Sequence, residues 1–489
     1  MMKDKPENIF PKDFLWGGAL AACQAEGAYN QGGKTLTVPD CMEFLPERDR
    51  KDKKHIEITR ETIENAKKDN DTVKYPKRRG INFYNTYKED IALFAEMGFK
   101  VFRYSISWAR VFPDGDNDVP NEEALKFYDN VIDECLNNNI EPLITISHFD
   151  MPVTLIDNYG GWYNYKLINL YVKYCEVLFK RYKGKVKYWI TFNEINMSAR
   201  KSVKTLGILN EGQENYKEMV YQGLHHQFVA AAKVTKLAHQ IDSNNQVGSM
   251  VAFFTTYPYT CVPEDVLFTQ KDNQMKNLFF LDVLNKGSYP YYAKTFFKNN
   301  NIELSISEED LNVIKENTAD FIGLSYYNSM IASSKPNLLE LTPGNVESVY
   351  KNPHLEHNEW GWQIDPVGFR YTLNHIYDRY NVPLFVLENS SGFLDVLEDD
   401  NSIHDPYRID FLNRHIEQMQ LAIKDGVNLI GYTMWGPIDM ISSGTSEMSK
   451  RYGFIYVDQD NFGNGSKKRY KKDSFYWYKD LIAKNGNIY

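Results

Sequence analysis

Eight short apolar runs, separated by longer helix-like stretches, constrain the fold of this chain more than any other feature. Each run is apolar through most of its length and does not alternate with polar residues. That pattern is typical of parallel strands that are buried on both faces. The runs cover residues 14–22, 101–108, 141–147, 188–194, 246–252, 320–327, 383–389 and 429–435.

Amphipathic segments with an apolar spacing near 3.6 residues follow these runs, and the first of them ends at Gly98, a typical helix C-cap. The eightfold strand–helix repeat predicts an α/β fold, a single (β/α)₈ TIM barrel over residues 1–489. An open doubly wound sheet is the alternative, but it needs a G-x-G-x-x-G turn that Gly17-Gly18 does not supply. The segments cover residues 84–97, 122–137, 165–182, 222–240, 307–317, 368–380, 408–425 and 473–483.

Two long connections interrupt the repeat. Residues 47–79 are dense in charge, and we interpret them as a surface insertion loop that is helical in part. Residues 329–361 form the second connection. Because the loops that follow barrel strands lie on the catalytic face, both insertions are expected to shape a cleft there.

Charge and hydropathy exclude several classes of function. The formal net charge is −9, from 56 basic and 65 acidic residues, which disfavours nucleic-acid and membrane partners. No apolar run approaches the roughly 18 residues of a membrane span, and the N-terminus lacks a signal-peptide core. The five scattered cysteines are expected to be buried, reduced thiols of a cytoplasmic protein. No metal-ligand spacing is present, so no cofactor is expected.

Two carboxylates stand at the C-terminal ends of predicted strands. Glu194 ends the fourth run, and Glu388 lies near the end of the seventh. A charge at the rim of a buried strand is costly unless it is paired or used, and either glutamate alone could be a structural ion-pair partner. Glycosidic bond cleavage requires two such carboxyl groups, one as acid and one as nucleophile or stabiliser.

Other strand ends add hydrogen-bonding groups and aromatic rings at the same predicted mouth. This convergence favours a catalytic site over a set of unrelated structural residues. The additional residues are Gln24, Glu26, Arg103, His148, Asp150, Tyr326, Tyr327 and Trp435.

These residues belong to strings that resemble glycoside hydrolase family 1 along nearly the whole chain. The strings occur in order and at suitable separations, which makes the resemblance specific. They are FLWGGA at 14–19, QAEGA at 24–28, FRYSISW at 102–108, HFDMP at 148–152, TFNE at 191–194 and LEN at 387–389.

The resemblance implies a retaining β-glycosidase that needs neither metal nor organic cofactor. It makes Glu194 the acid/base and Glu388 the nucleophile, with Arg103 and Tyr327 beside the nucleophile. The implied substrate-binding residues are Gln24, His148, Asn193 and Trp435 for the sugar, and Trp362 as a stacking wall for the aglycone.

The chain departs from the family pattern at two of these positions. Ser390 stands where a glycine is usual after the nucleophile, and Ser325 stands where an asparagine is commoner near it.

The loop after the eighth run bears on the substrate. Family members usually carry a glutamate seven residues after the strand-eight Trp, and here that position is Ser442. A serine donates a hydrogen bond where a carboxylate would repel a 6-phosphate. The segment is similar to the 6-phospho-β-glucosidase branch, in which a Ser, a Lys and a Tyr hold the phosphate. Lys450 and Tyr452 match, and the serine is either Ser442 or Ser443.

The predicted function is therefore hydrolysis of 6-phospho-β-D-glucosides, such as cellobiose 6-phosphate or aryl glucoside 6-phosphates. In the phospho-β-galactosidase relatives a Trp follows the phosphate-binding Ser, so the resemblance implies that its absence here favours gluco over galacto substrates. Basic residues between positions 450 and 472 could supply positive charge to the phosphate. A β-glucosidase acting on unphosphorylated substrates and a non-catalytic sugar-binding barrel stay open, as does the oligomeric state.

Overall fold

Eight parallel strands form a closed barrel in the computed structural model, which describes residues 9–47, 57–342 and 349–487. All eight predicted apolar runs are strands, and the predicted barrel is confirmed over the open sheet. The strands are β1 (Leu15–Leu20), β2 (Val101–Ser105), β3 (Glu141–Ser147), β4 (Tyr188–Phe192), β5 (Gln246–Ala252), β6 (Phe321–Ser325), β7 (Leu384–Asn389) and β8 (Leu429–Trp435).

The barrel closes between its first and last strands. Each strand pairs with its sequence neighbours, and β1 also pairs with β8, where Gly17 lies opposite Thr433. Gly17 allows a close approach, because a Cβ atom there would lie 1.8 Å from the carbonyl oxygen of Val101. Buried apolar side chains fill the interior: Val101, Leu143, Ile190, Met250, Phe321, Phe385 and Leu387.

Each strand is followed by a helix that packs on the outside of the barrel, in a segment that the amphipathic pattern predicts. These helices are α1 (Phe83–Met97), α2 (Glu122–Asn137), α3 (Lys166–Arg181), α4 (Tyr216–Ile241), α5 (Glu308–Glu316), α6 (Pro366–Tyr380), α7 (Pro406–Lys424) and α8 (Asp473–Ala483).

Short helices and two small sheets lie in the loops between the barrel strands and their helices. The sequence pattern did not predict the helices Pro263–Asn273, Phe279–Lys286 and Tyr291–Asn299, which precede α5, or the π-helical turn Gln274–Leu278. Two small sheets pair Thr256–Pro258 with Met330–Ala332, and Ile455–Val457 with Arg469–Lys471. The other short helices are Ala22–Ala25, Arg60–Lys68, Trp108–Val111, Val153–Tyr159 and Ser202–Leu206, with 3₁₀ turns at Val38–Cys41, Pro76–Arg78, Gly161–Tyr163, Ile195–Ala199 and Pro336–Leu338.

The segment 47–79 follows β1, and its residues 48–56 lie outside the described part of the chain. Residues 57–79 include the expected helix, Arg60–Lys68. They also bury Tyr75, Lys77 and Arg78, which are at most 2% exposed. The end of this segment is therefore packed into the protein and is not a solvated surface loop.

The structure also bears on two composition-based expectations. In the described ranges, no helix is both long and apolar enough to cross a bilayer. All five cysteines are free thiols, as predicted, but only Cys41, Cys135 and Cys175 are buried. Cys261 is exposed and Cys23 is partly exposed, so the expectation of burial was wrong for these two.

Candidate active site

A cavity of about 570 Å³ opens at the C-terminal ends of the barrel strands. Its wall combines carboxylates, aromatic rings, hydroxyl groups and lysines. Of the residues that the sequence singles out as site residues, it is lined by Gln24, His148, Glu194, Tyr327, Trp362, Glu388, Trp435, Ser442, Ser443, Lys450 and Tyr452.

Glu388, near the end of β7, is held by one cation and one phenol. Arg103 on β2 donates from Nη1 to Oε1 of Glu388 at 2.6 Å, and the Tyr327 hydroxyl donates to Oε2 at 2.5 Å. Burial raises the pKa of Glu388, whereas Arg103 and Tyr327 oppose that rise because they stabilise the anion. Both carboxylate oxygens are therefore fixed in a geometry suited to the ionised form.

Glu194 lies two residues after the end of β4, and its surroundings favour the opposite protonation state. Its backbone is left-handed (φ 40°), an uncommon conformation for a residue with a side chain. Burial, followed by the neighbouring charge of Glu388, raises the pKa of Glu194 to about 8. The Ser325 hydroxyl donates to its carboxylate and lowers the pKa in part. At neutral pH, Glu194 is mostly protonated and can act as an acid.

Asn193 and Arg103 form a buried hydrogen-bonded pair beside Glu388. Arg103 Nη2 donates to the side-chain oxygen of Asn193 at 2.5 Å, and Arg103 Nε donates to Thr145 at 2.9 Å. The Nδ2 of Asn193 is buried and has no hydrogen-bond partner among the described residues. A buried donor of this kind is suited to a substrate hydroxyl.

Another part of the cavity wall can hold a sugar ring. His148 stacks on Trp435 with ring centroids 5.5 Å apart and an interplanar angle of 25°. Burial lowers the pKa of His148 well below its usual range, so its ring is neutral. Gln24, which also lines the cavity, donates to the carbonyl oxygen of Ile441 at 2.7 Å, and this bond orients its amide.

The predicted phosphate-binding residues meet at one end of the cavity. The Lys450 ammonium lies 3.9 Å from the ring centroid of Trp362, and Tyr452 lies beside Ser442. Burial lowers the pKa of Lys450 to about 7. The structure describes no hydrogen bond or ion pair to this ammonium. Trp362, expected as a wall for the aglycone, thus contacts the lysine as well as Tyr327, whose ring centroid is 5.0 Å away.

Some sequence-predicted contributors lie elsewhere. Arg469 pairs with Asp90 on α1, and Lys472 is buried against Asp439 at 2.8 Å, so the basic run supplies structural ion pairs and not a phosphate site. Glu26 accepts a hydrogen bond from Arg110 at 2.6 Å. Tyr326 donates to the carbonyl of Asp365 at 2.8 Å. None of these four side chains lines the cavity.

Sequence reasoning missed Lys204, which follows β4 and lines the cavity. Its ammonium donates to the carbonyl and hydroxyl oxygens of Ser443, each at 3.2 Å. A lysine ten residues after Glu194 carries no local signal in the sequence.

The departure at Ser325 puts in doubt one polar contact near the nucleophile that the family pattern implies. In the structure the Ser325 hydroxyl donates to the carboxylate of Glu194, the acid/base candidate. The other departure is harmless: Ser390 is buried but does not have the positive φ that would require glycine.

Comparisons with known proteins agree with this geometry. A family model described as Glycosyl hydrolase family 1 matches residues 6–487. The aryl-phospho-beta-D-glucosidase BglH of Bacillus subtilis (strain 168) is 51% identical over 480 residues, 98% of each chain. A phospho-cellobiase of Klebsiella oxytoca is 46% identical over 477 residues, again 98% of each. A solved beta-glucosidase from Thermotoga maritima in complex with glucoimidazole has a TM-score of 0.82 at 30% identity, covering 98% of this chain and 99% of that one.

Proposed function

This chain belongs to glycosyl hydrolase family 1, and from that premise we propose that it hydrolyses 6-phospho-β-D-glucosides to glucose 6-phosphate and the free aglycone. The reaction retains configuration at the anomeric carbon through two displacements. Its substrates are phosphorylated β-glucosides of the cellobiose and aryl type, which are also named in the similar proteins from Bacillus subtilis and Klebsiella oxytoca.

In the first displacement, Glu194 gives its proton to the glycosidic oxygen as the bond to the anomeric carbon breaks. Glu388 attacks that carbon and forms a glycosyl ester. The raised pKa of Glu194 supports the acid role, and the contacts of Arg103 and Tyr327 support an ionised nucleophile. In the second displacement, the ionised Glu194 takes a proton from water, which attacks the ester and releases Glu388.

The remaining residues of the cavity orient the substrate. Gln24, His148, Asn193 and Trp435 bind the hydroxyls and ring of the sugar, and their stacked or hydrogen-bonded positions support that role. Trp362 lines the same cavity beside Lys450, and its exposed ring area is available to an aglycone.

The buried ammonium of Lys450 carries the assignment of a phosphorylated substrate. No hydrogen bond or ion pair to it is described, and the charge of Glu447 offsets the effect of burial only in part, although a buried cation is costly unless it is paired. A substrate phosphate would supply the missing anion, with Ser442 and Tyr452 donating hydrogen bonds beside it. Of the two candidate serines, Ser442 is favoured because it is buried beside Tyr452, whereas the Ser443 hydroxyl accepts from Lys204.

Two further features of the proposal depend on the substrate. In galacto-type relatives a Trp follows the phosphate-binding serine. Here Ser443 follows Ser442 and Gly444 follows Ser443, so neither candidate serine precedes a Trp, and a gluco substrate is favoured. A phosphorylated disaccharide crosses no membrane unaided, so we place the enzyme with its substrate in the cytoplasm.

A paired assay tests the proposal. One 4-nitrophenyl β-D-glucoside is compared with its 6-phosphate, and kcat/KM is measured for each. The phosphorylated substrate should be preferred by roughly tenfold to hundredfold for each charge-assisted contact. Equal or better turnover of the unphosphorylated glucoside would favour the alternative, an ordinary β-glucosidase. Binding without turnover of either substrate would favour a non-catalytic barrel.

A further inference from the structure

The segment 442–447, which we call the Ser442 loop, is held by residues from several other parts of the chain. Lys77 donates to the Ser446 hydroxyl at 2.6 Å, and Lys204 donates to Ser443. Trp360 Nε1 donates to the Glu447 carboxylate at 2.6 Å. The loop also closes on itself, because Ser446 N donates to the carbonyl of Ser442 at 3.1 Å.

Lys77 differs from most other buried cations of the protein. Arg103, Arg408 and Lys472 are each paired with a carboxylate. Lys77 is 2% exposed, and the Ser446 hydroxyl is the partner that the structure describes for its ammonium. Burial, followed by the nearby charge of Lys204, lowers its pKa to about 7. Like Lys450, Lys77 makes no described ion pair with a carboxylate, and the charge of Asp40 offsets the effect of burial only in part.

Such an arrangement is a poor device for stability. A buried ammonium that has a single neutral acceptor costs free energy, and an apolar residue of similar volume is often tolerated as well or better. The burial of Lys77 therefore requires another explanation, which we look for in the residue that it contacts. Ser446 has a left-handed backbone (φ 59°), a conformation that a serine keeps only when its surroundings fix it.

We propose that Lys77 is a positioning residue for the substrate's 6-phosphate, which acts by fixing Ser446 and, through it, the Ser442 end of the loop. The contact runs from the Lys77 ammonium to the Ser446 hydroxyl, and from the Ser446 amide to the Ser442 carbonyl. Lys77 itself touches neither the sugar nor the reacting atoms. This inference rests on the proposed function. It adds Lys77, from the segment after β1, to the residues that determine the preference for a phosphorylated substrate.

Lys77→Met tests the inference, because methionine keeps the length of the side chain and removes the charge and the hydrogen bond. KM for the 6-phosphorylated aryl glucoside should rise about tenfold, with kcat little changed. The unphosphorylated glucoside should be hydrolysed as slowly as by the wild type. The thermal midpoint should stay the same or rise. Lys126→Met, which removes an exposed lysine of α2, is the matched control and should change none of these quantities.

Ser446→Ala tests the path of the effect without changing charge. It should raise KM for the phosphorylated substrate to a similar degree. The double variant Lys77→Met/Ser446→Ala should have a KM no higher than that of either single variant. Additive losses, an equal loss on both substrates, or a lower thermal midpoint with an unchanged substrate ratio would overturn the inference. If the wild type showed no preference for the phosphorylated substrate, the proposed function would fail first, and the two failures are thus distinguishable.

Discussion

Glu194 and Glu388 have identical side chains, but their neighbours give the two carboxyl groups different roles. Glu388 is bound by Arg103 and Tyr327, which favour the anion. Glu388→Gln keeps the shape and removes the nucleophile, so kcat should fall by roughly 10⁴-fold or more. The circular dichroism spectrum should be unchanged. Hydrolysis at the wild-type rate would remove Glu388 from the mechanism.

Glu194 is expected to act only on protons. Glu194→Ala should lower kcat by about 10²- to 10⁴-fold for a substrate with a poor leaving group. A substrate whose leaving group needs no proton should still form the glycosyl ester. Added azide should then attack that ester, restore turnover and give a β-glycosyl azide. An α-azide product, or no rescue, would contradict the assignment.

The Ser325 hydroxyl gives a prediction about pH. It donates to the Glu194 carboxylate and so stabilises the ionised form. Without it, the pKa of Glu194 rises further above about 8. Because the acid must be protonated, the rate falls as the pH rises through that pKa, and in Ser325→Ala this fall should occur at higher pH. The kcat/KM profile measures it.

The control for this shift is Ser249→Ala. Ser249 is a buried serine of β5 whose hydroxyl donates to Asn285 at 3.2 Å. Its removal should leave the basic limb where it is in the wild type. An equal displacement in both variants would show that the effect is not specific to Glu194.

At the scale of elements, burial decided what the sequence could predict. The barrel strands are buried on both faces, so their apolar runs identify them directly. Helix Pro263–Asn273 has the reverse pattern: Asp265 and Thr269 are buried, whereas Leu267 and Phe268 are about half exposed. No amphipathic spacing marks such a helix, and the sequence analysis missed it.

The candidate site was predictable to the extent that it lies at strand ends. Glu194, Glu388 and Arg103 could be placed because their strands could be placed. Lys77 could not, because its partner Ser446 is 369 residues away in the chain. The contacts on the phosphate side are made between loops that are far apart in the chain. Local sequence patterns do not indicate which loops contact each other.

The loop after β7 determines the position of Lys450, and this can be tested. A Cβ atom at Gly392 would lie 2.6 Å from Cγ and 2.8 Å from Cε of Lys450, so the lysine would have to move. Gly392→Ala should raise KM for the phosphorylated substrate by about tenfold and leave the unphosphorylated one unaffected. In a Lys450→Ala background the same change should have no further effect. An undiminished loss there would mean that Gly392 acts on another group.

At the scale of the whole molecule, a buried network of charges joins the last strands and helices of the barrel. Lys472, just before α8, contacts Asp395 after β7 and Asp439 after β8. Arg408 on α7 contacts Asp395 at 2.9 Å, and Arg451 contacts Asp439 at 3.4 Å. These are the segments on which the phosphate side of the cavity is built.

Two adjacent lysines separate the contribution of this network from that of surface charge. Lys472→Met leaves Asp395 and Asp439 buried with one cation fewer, which should lower the free energy of unfolding by about 3–5 kcal/mol. Lys471→Met breaks a pair with Glu96 that is partly exposed, and should cost less than about 1 kcal/mol. Urea unfolding measures both values. If the two variants lost equal stability, the buried pairs would be no stronger than the exposed one, and the network would not hold these segments together.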